Sequence, residues 1–273
     1  MSVFCFANNK IQPIETAGVP VTDLLVQRGY GIFDFLRVAK DKPLFIDDHL
    51  DRFFHSAKVM RLTIPQTRED IKAIVKELIQ KNNIAYSGIR MLIAGGDAPD
   101  GYTIEAPHLI IIQAPLAEPS LVLPTTGIKL ATYNYQRQIP EVKTTDYLMA
   151  IWLQPWMKEQ FADDILYHHN GVISECPRSN FFLVTKDNVL VTAKQNMLKG
   201  VTRKNILQVC KDHKIAFEER DVNVSEFATA KEAFITSSTK RIIPVHQVDE
   251  FMLKPNYQDS FAKKIYELLF AME

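Results

Sequence analysis

The sequence predicts an α+β protein of two domains. Strand-like segments, alternating or short and apolar, outnumber helical ones, and the helices fall between them without a regular strand–helix–strand rhythm. The proline-bearing stretch PLAEPSLVLPTTG (115–127) is the best linker signal. It puts the boundary near residue 120, between a small N-terminal domain over 1–119 and a larger C-terminal domain over 120–273. A chain of 273 residues, 47% of them hydrophobic, can bury a core in each part.

The elements follow in order. Residues 2–6 and 11–15 read as strands around the turn Asn8-Asn9-Lys10, and RGYGIFDFLRV (28–38) as a β-rich run entered through Gly29 and Gly31. After the turn Asp41-Lys42-Pro43 comes a helix with Asp47 as N-cap and Leu50, Phe53, Phe54, Ala57 and Met60 at helical spacing. The next helix has Thr67 and Asp70 as a capping box and the stripe Ile71, Ile74, Val75, Leu78, Ile79. IRMLIAGG (89–96) and HLIIIQAP (108–115) are strands. Beyond the linker, GIKLATYNY is a strand and TTDYLMAIWLQPWMKEQF a helix interrupted or kinked at Pro155. ILYHHNGVIS and NFFLVTKDNVLVTA are hairpins turning at Asn170-Gly171 and at Lys186-Asp187-Asn188. GVTRKNILQVCKDHKI is a glycine-led helix with Ile206, Val209 and Cys210 inward, and FEERDVNV a strand. Ser225 caps a short helix, and AFITSST is a strand ending in three hydroxyl residues.

Composition excludes several functions. A formal net charge of zero argues against a general nucleic-acid or acidic-membrane binder. The N-terminus MSVFCFANNK does not resemble a signal peptide, and no apolar run approaches the roughly 20 residues of a membrane helix. Cys5, Cys176 and Cys210 are scattered, which suits reduced thiols in a cytoplasm. The seven histidines form no H-E-x-x-H pattern, so no metal site is expected.

The chemistry centres on Ile139–Asn180. Lys143 and Glu175 are suited to pyridoxal 5'-phosphate (PLP), the amine taking its aldehyde as a Schiff base and the carboxylate pairing with the ring nitrogen. Two such charges are more often merely solvated, so the phosphate must find a grip elsewhere. LKGVTRKN offers one at a helix N-terminus, where Gly200 allows close approach and Val201 and Thr202 begin the helix. The hydroxyl run Ser237-Ser238-Thr239 is a second cradle, and Arg52 a forked cationic partner. Individually, each reads better as a turn glycine, a capping cluster or a solvated arginine.

Taken in order, FDFLR (33–37), HLDR (49–52), EVKTTDYL (141–148), GVISECPRSNFF (171–182), LKGVTR (198–203) and FITSSTKRIIPV (234–245) resemble the fold-type IV PLP-dependent aminotransferases over essentially the whole chain. That family contains branched-chain aminotransferase, D-amino-acid transaminase and aminodeoxychorismate lyase. The resemblance implies the D-amino-acid aminotransferase-like fold, with most of the PLP site in the C-terminal domain. It makes Lys143 the Schiff-base lysine, Glu175 the pyridine-nitrogen partner and Leu198 the residue packed on the coenzyme ring. Arg52, the Val201 and Thr202 amides, Gly200 and Ser238 become the phosphate site, and Arg28, Phe33, Arg178 and Thr239 fall on the substrate side. It also implies a homodimer. The Lys143 amine then carries the proton between the substrate Cα and C4′ of the coenzyme.

Departures from better-known patterns narrow the choice. The loop GGDAPDGYT (95–103) lacks the Arg-x-His pair of Bacillus-type D-amino-acid transaminases. FDF and KTTDY replace the FEG and Lys-Ala-Gly-Gly-Asn-Tyr of branched-chain enzymes, and the lyase-type NG-I-M-R start of the phosphate helix is absent. RGYGIFDF with ECPRSNFF resembles a less common D-amino-acid subgroup in which arginines hold substrate carboxylates, as a guanidinium does bidentately. The competing expectation pairs Arg28 or Arg178 with Asp34, Asp100 or Glu141. The resulting expectation is an aminotransferase acting on D-amino acids with 2-oxoglutarate or pyruvate as acceptor. Its rivals are a lyase releasing 4-aminobenzoate and pyruvate, an L-branched-chain aminotransferase, and a non-catalytic binding protein.

Overall fold

A computed structural model of the chain describes residues 3–118, 120–253 and 257–273. Two compact units form, Met1–Pro119 with Val142–Asp146, and Ser120–Glu141 with Tyr147–Glu273. The boundary expected near residue 120 would leave Lys143 with the C-terminal part, whereas the segment that carries it packs with the N-terminal unit.

In the first unit, β1 (Phe4–Ala7) and β2 (Lys10–Pro13) turn through Asn8 and Asn9 at φ 52° and 61°, the left-handed pair a two-residue hairpin needs. The expected strand residue 2 lies outside the described residues. Helix α1 (Leu24–Arg28), absent from the sequence-based expectation, starts where the Asp23 carboxylate accepts the Leu25 N–H and stops at Gly29, φ 66°. Five residues are too few to show helical periodicity. Strand β3 (Gly31–Ala39), β4 (Lys42–Pro43), α2 (Ile46–Val59), α3 (Arg68–Asn82), β5 (Tyr86–Ala94) and β6 (His108–Pro115) complete the unit. The strands form one antiparallel sheet, β2-β1-β6-β5-β3-β4.

Helix α2 is capped by Phe45 in the left-handed region, φ 53°, rather than by Asp47. Asp47 sits in the first turn and pairs with Lys72 at 2.7 Å, a favourable place for a carboxylate beside the positive helix end. The capping box of Thr67 and Asp70 forms as expected. Leu50 and Phe53 of α2, and Ile71, Val75 and Leu78 of α3, are fully buried, as are Leu36, Ile89, Met91 and Ile93 of the sheet. Each is worth about 1.5–3 kcal/mol. Helix α2 thereby settles on β3, and α3 on β1 and β6.

The second unit holds β7 (Ile128–Asn134), α4 (Leu148–Trp152), α5 (Gln154–Glu159), β8 (Asp164–His169), β9 (Val172–Ile173), β10 (Glu175–Cys176), β11 (Ser179–Val184), β12 (Leu190–Thr192), α6 (Val201–Asp212), β13 (Phe217–Glu219), β14 (Glu232–Ser237), β15 (Arg241–Val248), β16 (Phe251–Met252) and α7 (Phe261–Phe270). Its main strand path is β13-β12-β11-β14-β15-β7-β8-β9, with β10 on β11 and β16 on β15. Pro155 splits the expected helix into α4 and α5 by taking the second position of α5, where its missing N–H deprives no helical bond. Asn223, not Ser225, caps the short 3-10 turn Val224–Ala228, in a capping box with Glu226. FEERDVNV is a strand only over Phe217–Glu219.

Register decides which loops share an end of this sheet. Strand β11 runs antiparallel to β14 with Asn180 opposite Thr236, to β12 with Phe182 opposite Thr192, and to β10 with Asn180 opposite Glu175. The turns Pro177-Arg178 and Ser238-Thr239-Lys240, together with the exit from β12 toward α6, therefore lie at one end. Among the described residues no helix is long and apolar enough to cross a membrane, and no group of three or more His, Cys, Asp or Glu could hold a metal ion.

Candidate active site

The first unit carries the lysine on a segment held by backbone bonds. Phe33 N–H donates to Lys143 O at 2.9 Å, Thr145 N–H to Gly31 O at 3.0 Å, and Thr145 Oγ1 to Gly29 O at 2.6 Å. Glycine at 31 makes this approach feasible. A Cβ there would lie 2.9 Å from both Ile93 O and Leu25 Cδ1, and 3.3 Å from Thr145 Oγ1. The Lys143 ammonium stands 4.6 Å from the Phe33 ring centroid, and the Arg90 guanidinium lies 5.3 Å from the same centroid, both within cation–π range.

Behind this segment is a charged cluster that the motifs FDFLR and HLDR do not announce. Asp34 is fully buried on β3. Its Oδ1 meets His49 Nδ1 at 2.7 Å and accepts from Arg52 Nη2 at 2.8 Å, while Oδ2 accepts from Arg52 Nε at 2.8 Å. Burial alone would raise the Asp34 carboxyl, but the Arg52 guanidinium and His49 outweigh it and hold it far below the carboxylate range. Burial drives His49 down, against the attraction of Asp34, and the charges of Arg52 and Lys143 push it further. Arg52, expected on a phosphate, thus spends Nε and Nη2 on Asp34. Both β3 and α2 contribute because His49 and Arg52 are three apart on one helix face.

The second unit carries the carboxylate. Glu175 is buried on β10. Arg137 Nε and Nη2 donate to its Oε1 at 2.8 and 2.6 Å, and Leu198 N–H donates to Oε2 at 3.0 Å. Arg137 also donates to Pro140 O. Acceptance at both oxygens is what an ionised carboxylate does. Asn180, across from Glu175, donates its side-chain amide to Leu198 O at 2.7 Å. Gly200 is the N-cap of the twelve-residue α6 and supplies no side-chain bond to the helix end, so the first amides, those of Val201 and Thr202 among them, are the donors a bound anion can use.

Ser238 and Thr239 lie on the β14–β15 turn, at the sheet end that also carries Arg178. Ser237 Oγ and Thr239 Oγ1 are 3.3 Å apart, Lys240 N–H donates to Ser237 Oγ at 3.2 Å, and Lys240 Nζ reaches Asp164 Oδ2 at 2.8 Å. Arg178 is exposed, and no described carboxylate pairs with it. Arg28 donates to its neighbour's carbonyl, Gln27 O, at 3.0 Å. Asp34 is bonded to Arg52, and Asp100 accepts from the Tyr102 and Thr103 N–H groups and from Thr103 Oγ1. Within the first unit Lys143 and Phe33 come together, and Arg52 joins the Asp34 cluster. Within the second, Glu175, Leu198 and Gly200 form one network through Asn180. Arg137, His49 and Asn180 are the residues that sequence reasoning missed, and it considered Asp34 only as a partner for Arg28 or Arg178. Arg137 meets a partner 38 positions away, a distance spacing cannot reveal, whereas an aspartate between phenylalanines in a strand is a signal for a paired buried charge.

These residues suit PLP. A lysine amine, a buried carboxylate with its acceptor oxygens fixed, and an uncapped helix start are the donors and acceptors that an aldehyde, a pyridinium N–H and a phosphate require. The family model described as Amino-transferase class IV matches residues 31–248. D-alanine aminotransferase of Bacillus licheniformis is 25% identical over 248 residues, covering 89% of this chain and 87% of its own. A protein of Methanocaldococcus jannaschii named as a candidate branched-chain-amino-acid aminotransferase is 28% identical over 273 residues, 96% of this chain and 93% of its own. Among solved structures, a candidate 4-amino-4-deoxychorismate lyase of Legionella pneumophila superposes with a TM-score of 0.86 at 25% identity, over 95% of this chain and 97% of that one.

Proposed function

We propose that this chain, which belongs to the class IV aminotransferase family, moves amino groups from D-amino acids to 2-oxoglutarate or pyruvate. It is a PLP-dependent aminotransferase of fold type IV. Bound PLP supplies the electron sink for the pair left on the substrate Cα when its proton departs. Lys143 is assigned to the aldehyde, which its amine would hold, and its Nζ would be the group that takes up the substrate Cα proton. Glu175, ion-paired to Arg137, is assigned to the ring N–H, and Leu198 to the ring face. The Gly200–Thr202 helix start, Ser238 and Arg52 are assigned to the phosphate, and Arg28, Phe33, Arg178 and Thr239 to the substrate.

The observation that supports the substrate reading is Arg178. Three residues past Glu175, it is an exposed guanidinium with no described carboxylate partner, suited to grip an α-carboxylate or a dicarboxylic 2-oxo acid bidentately. Half-reactions with D-alanine, D-glutamate, L-leucine and aminodeoxychorismate test the reading, following formation of pyridoxamine phosphate or release of pyruvate. Turnover of D-alanine and D-glutamate is expected. Response to L-leucine alone would make it a branched-chain enzyme, and pyruvate release from aminodeoxychorismate alone would make it a lyase. Borohydride should fix the coenzyme to Lys143 in the wild type and not in Lys143→Ala.

We also propose a cytoplasmic homodimer. Leu148, Ile151 and Trp152 of α4 are 72%, 62% and 64% exposed, and a partner surface would cover them. The three cysteines are buried and unbridged, as in a reducing compartment. A monomeric mass by light scattering at micromolar concentration would refute the dimer.

A further inference from the structure

The backbone of Leu198 is clamped at both of its polar groups by one cross-strand pair. Its N–H goes to Glu175 Oε2 at 3.0 Å, and its carbonyl takes the Asn180 Nδ2 proton at 2.7 Å. Glu175 and Asn180 are direct partners on β10 and β11. Asn180 is 6% exposed, so its amide has little access to water as an alternative partner. Its amide oxygen faces Gly200. A Cβ built on Gly200 would lie 2.2 Å from Asn180 Oδ1. One side chain therefore holds residue 198 by a hydrogen bond and occupies the space beside residue 200, immediately before the first amides of α6.

We infer that Asn180 is a positioning residue for the phosphate site, fixing the Leu198–Gly200 backbone so that the Val201 and Thr202 amides are preorganised for a dianion. Glu175 has a second anchor in Arg137, whereas Asn180 is the side-chain anchor that reaches Leu198 O and Gly200. Losing Asn180 should weaken the grip on phosphate more than the grip on the pyridine ring. Glycine at 200 is required by the same contact, since any side chain there drives into the amide oxygen. The inference rests on the assignment of the α6 start to the phosphate.

Equilibrium dialysis of apoprotein with PLP and with pyridoxal, which lacks the phosphate, tests it. In Asn180→Ala, PLP affinity should fall about tenfold or more, the scale of one buried hydrogen bond left unmade, while pyridoxal affinity changes less than about twofold on the same scale. Gly200→Ala should show the same selective loss from the other side. Because Asn180→Ala removes the obstructing oxygen, the double variant should bind PLP better than the product of the single losses predicts. Circular dichroism and Tm of the apoproteins identify a variant that has not folded, in which case the Gly200→Ala selectivity decides. Equal weakening of PLP and pyridoxal, unchanged PLP affinity, or additive single losses would overturn the inference. A wild type that binds pyridoxal as tightly as PLP would instead defeat the phosphate assignment.

Discussion

Arg137 and Glu175 form a partly buried ion pair in which two guanidinium nitrogens converge on one carboxylate oxygen, at 2.8 and 2.6 Å. The other oxygen accepts the Leu198 N–H at 3.0 Å. Their side chains are 19% and 7% exposed, so the carboxylate has little water to replace the guanidinium. Removing the cation in Arg137→Met strands a buried carboxylate and should cost about 3 kcal/mol of stability. Urea denaturation of the apoprotein measures it. A change below about 0.5 kcal/mol would mean that the carboxylate finds water or another donor.

Acid should weaken the first unit through His49. Its folded value lies below its ordinary 6.5 because burial disfavours the cation, so the unfolded chain binds the extra proton first as pH falls. Stability is complete above pH 6.5 and lost below it. His168, in the second unit, is lowered too, mainly by burial, so acid weakens that unit in the same direction. Asp34, held below its ordinary 3.8, adds a further loss only at lower pH. In His49→Gln, denaturation curves between pH 7 and pH 5 should be flatter than in the wild type. An unchanged slope would exonerate His49.

Gly31→Ala should dislodge the lysine segment. The new Cβ meets Ile93 O and Leu25 Cδ1 at 2.9 Å, and overpacking of this kind costs about 1–3 kcal/mol. Hydrogen exchange at Thr145, whose amide bonds to Gly31 O, should accelerate, and borohydride trapping at Lys143 should slow. Wild-type exchange at Thr145 in a folded variant would show that the segment is held by other contacts.

Lys240→Met should loosen the hydroxyl-bearing turn. The ammonium is bonded to Asp164 at 2.8 Å with side-chain exposures of 23% and 10%, while its own N–H ties back to Ser237. We expect a several-fold loss of PLP affinity, on the order of one charged hydrogen bond, with Lys240→Arg retaining most of it. Equal losses in both variants would assign the effect to side-chain shape rather than charge.

Arg178→Ala should raise KM for 2-oxoglutarate at least tenfold, about 1.4 kcal/mol or more for a lost guanidinium–carboxylate pair. KM for pyruvate should rise less, and kcat should change little. An unchanged KM for both acceptors removes Arg178 from the substrate site.

Helices α3 and α6 were legible because their ends and faces are written locally. Thr67 and Asp70 cap the first, Gly200 opens the second, and apolar residues recur at turns of each. The hairpin at Asn170-Gly171 was legible for the same reason, its φ values of 51° and 85° being those such residues favour. Asp47 and Ser225 misled because each is a good capping residue one or two positions inside the true start, where Phe45 and Asn223 took the role. Short α1 and the C-terminal α7 went unread, although Ala262, Ile265, Tyr266 and Leu269 of α7 are buried at helical spacing.

For the functional residues the division is sharper. The sequence by itself determined the candidates proposed for the site: Lys143, Glu175, the glycine-led start of α6 and the hydroxyl turn, each picked out by a short motif and its order. Tertiary structure alone decided what those groups are bonded to. It placed Arg137 on Glu175, Asn180 on Leu198, and two nitrogens of Arg52, expected on a phosphate, on Asp34. It also packed Val142–Asp146 with the N-terminal unit. The reason is that a buried charge or amide must find a partner wherever the fold brings one. That partner is chosen by strand register and helix packing across tens of residues, not by the local periodicities along the chain.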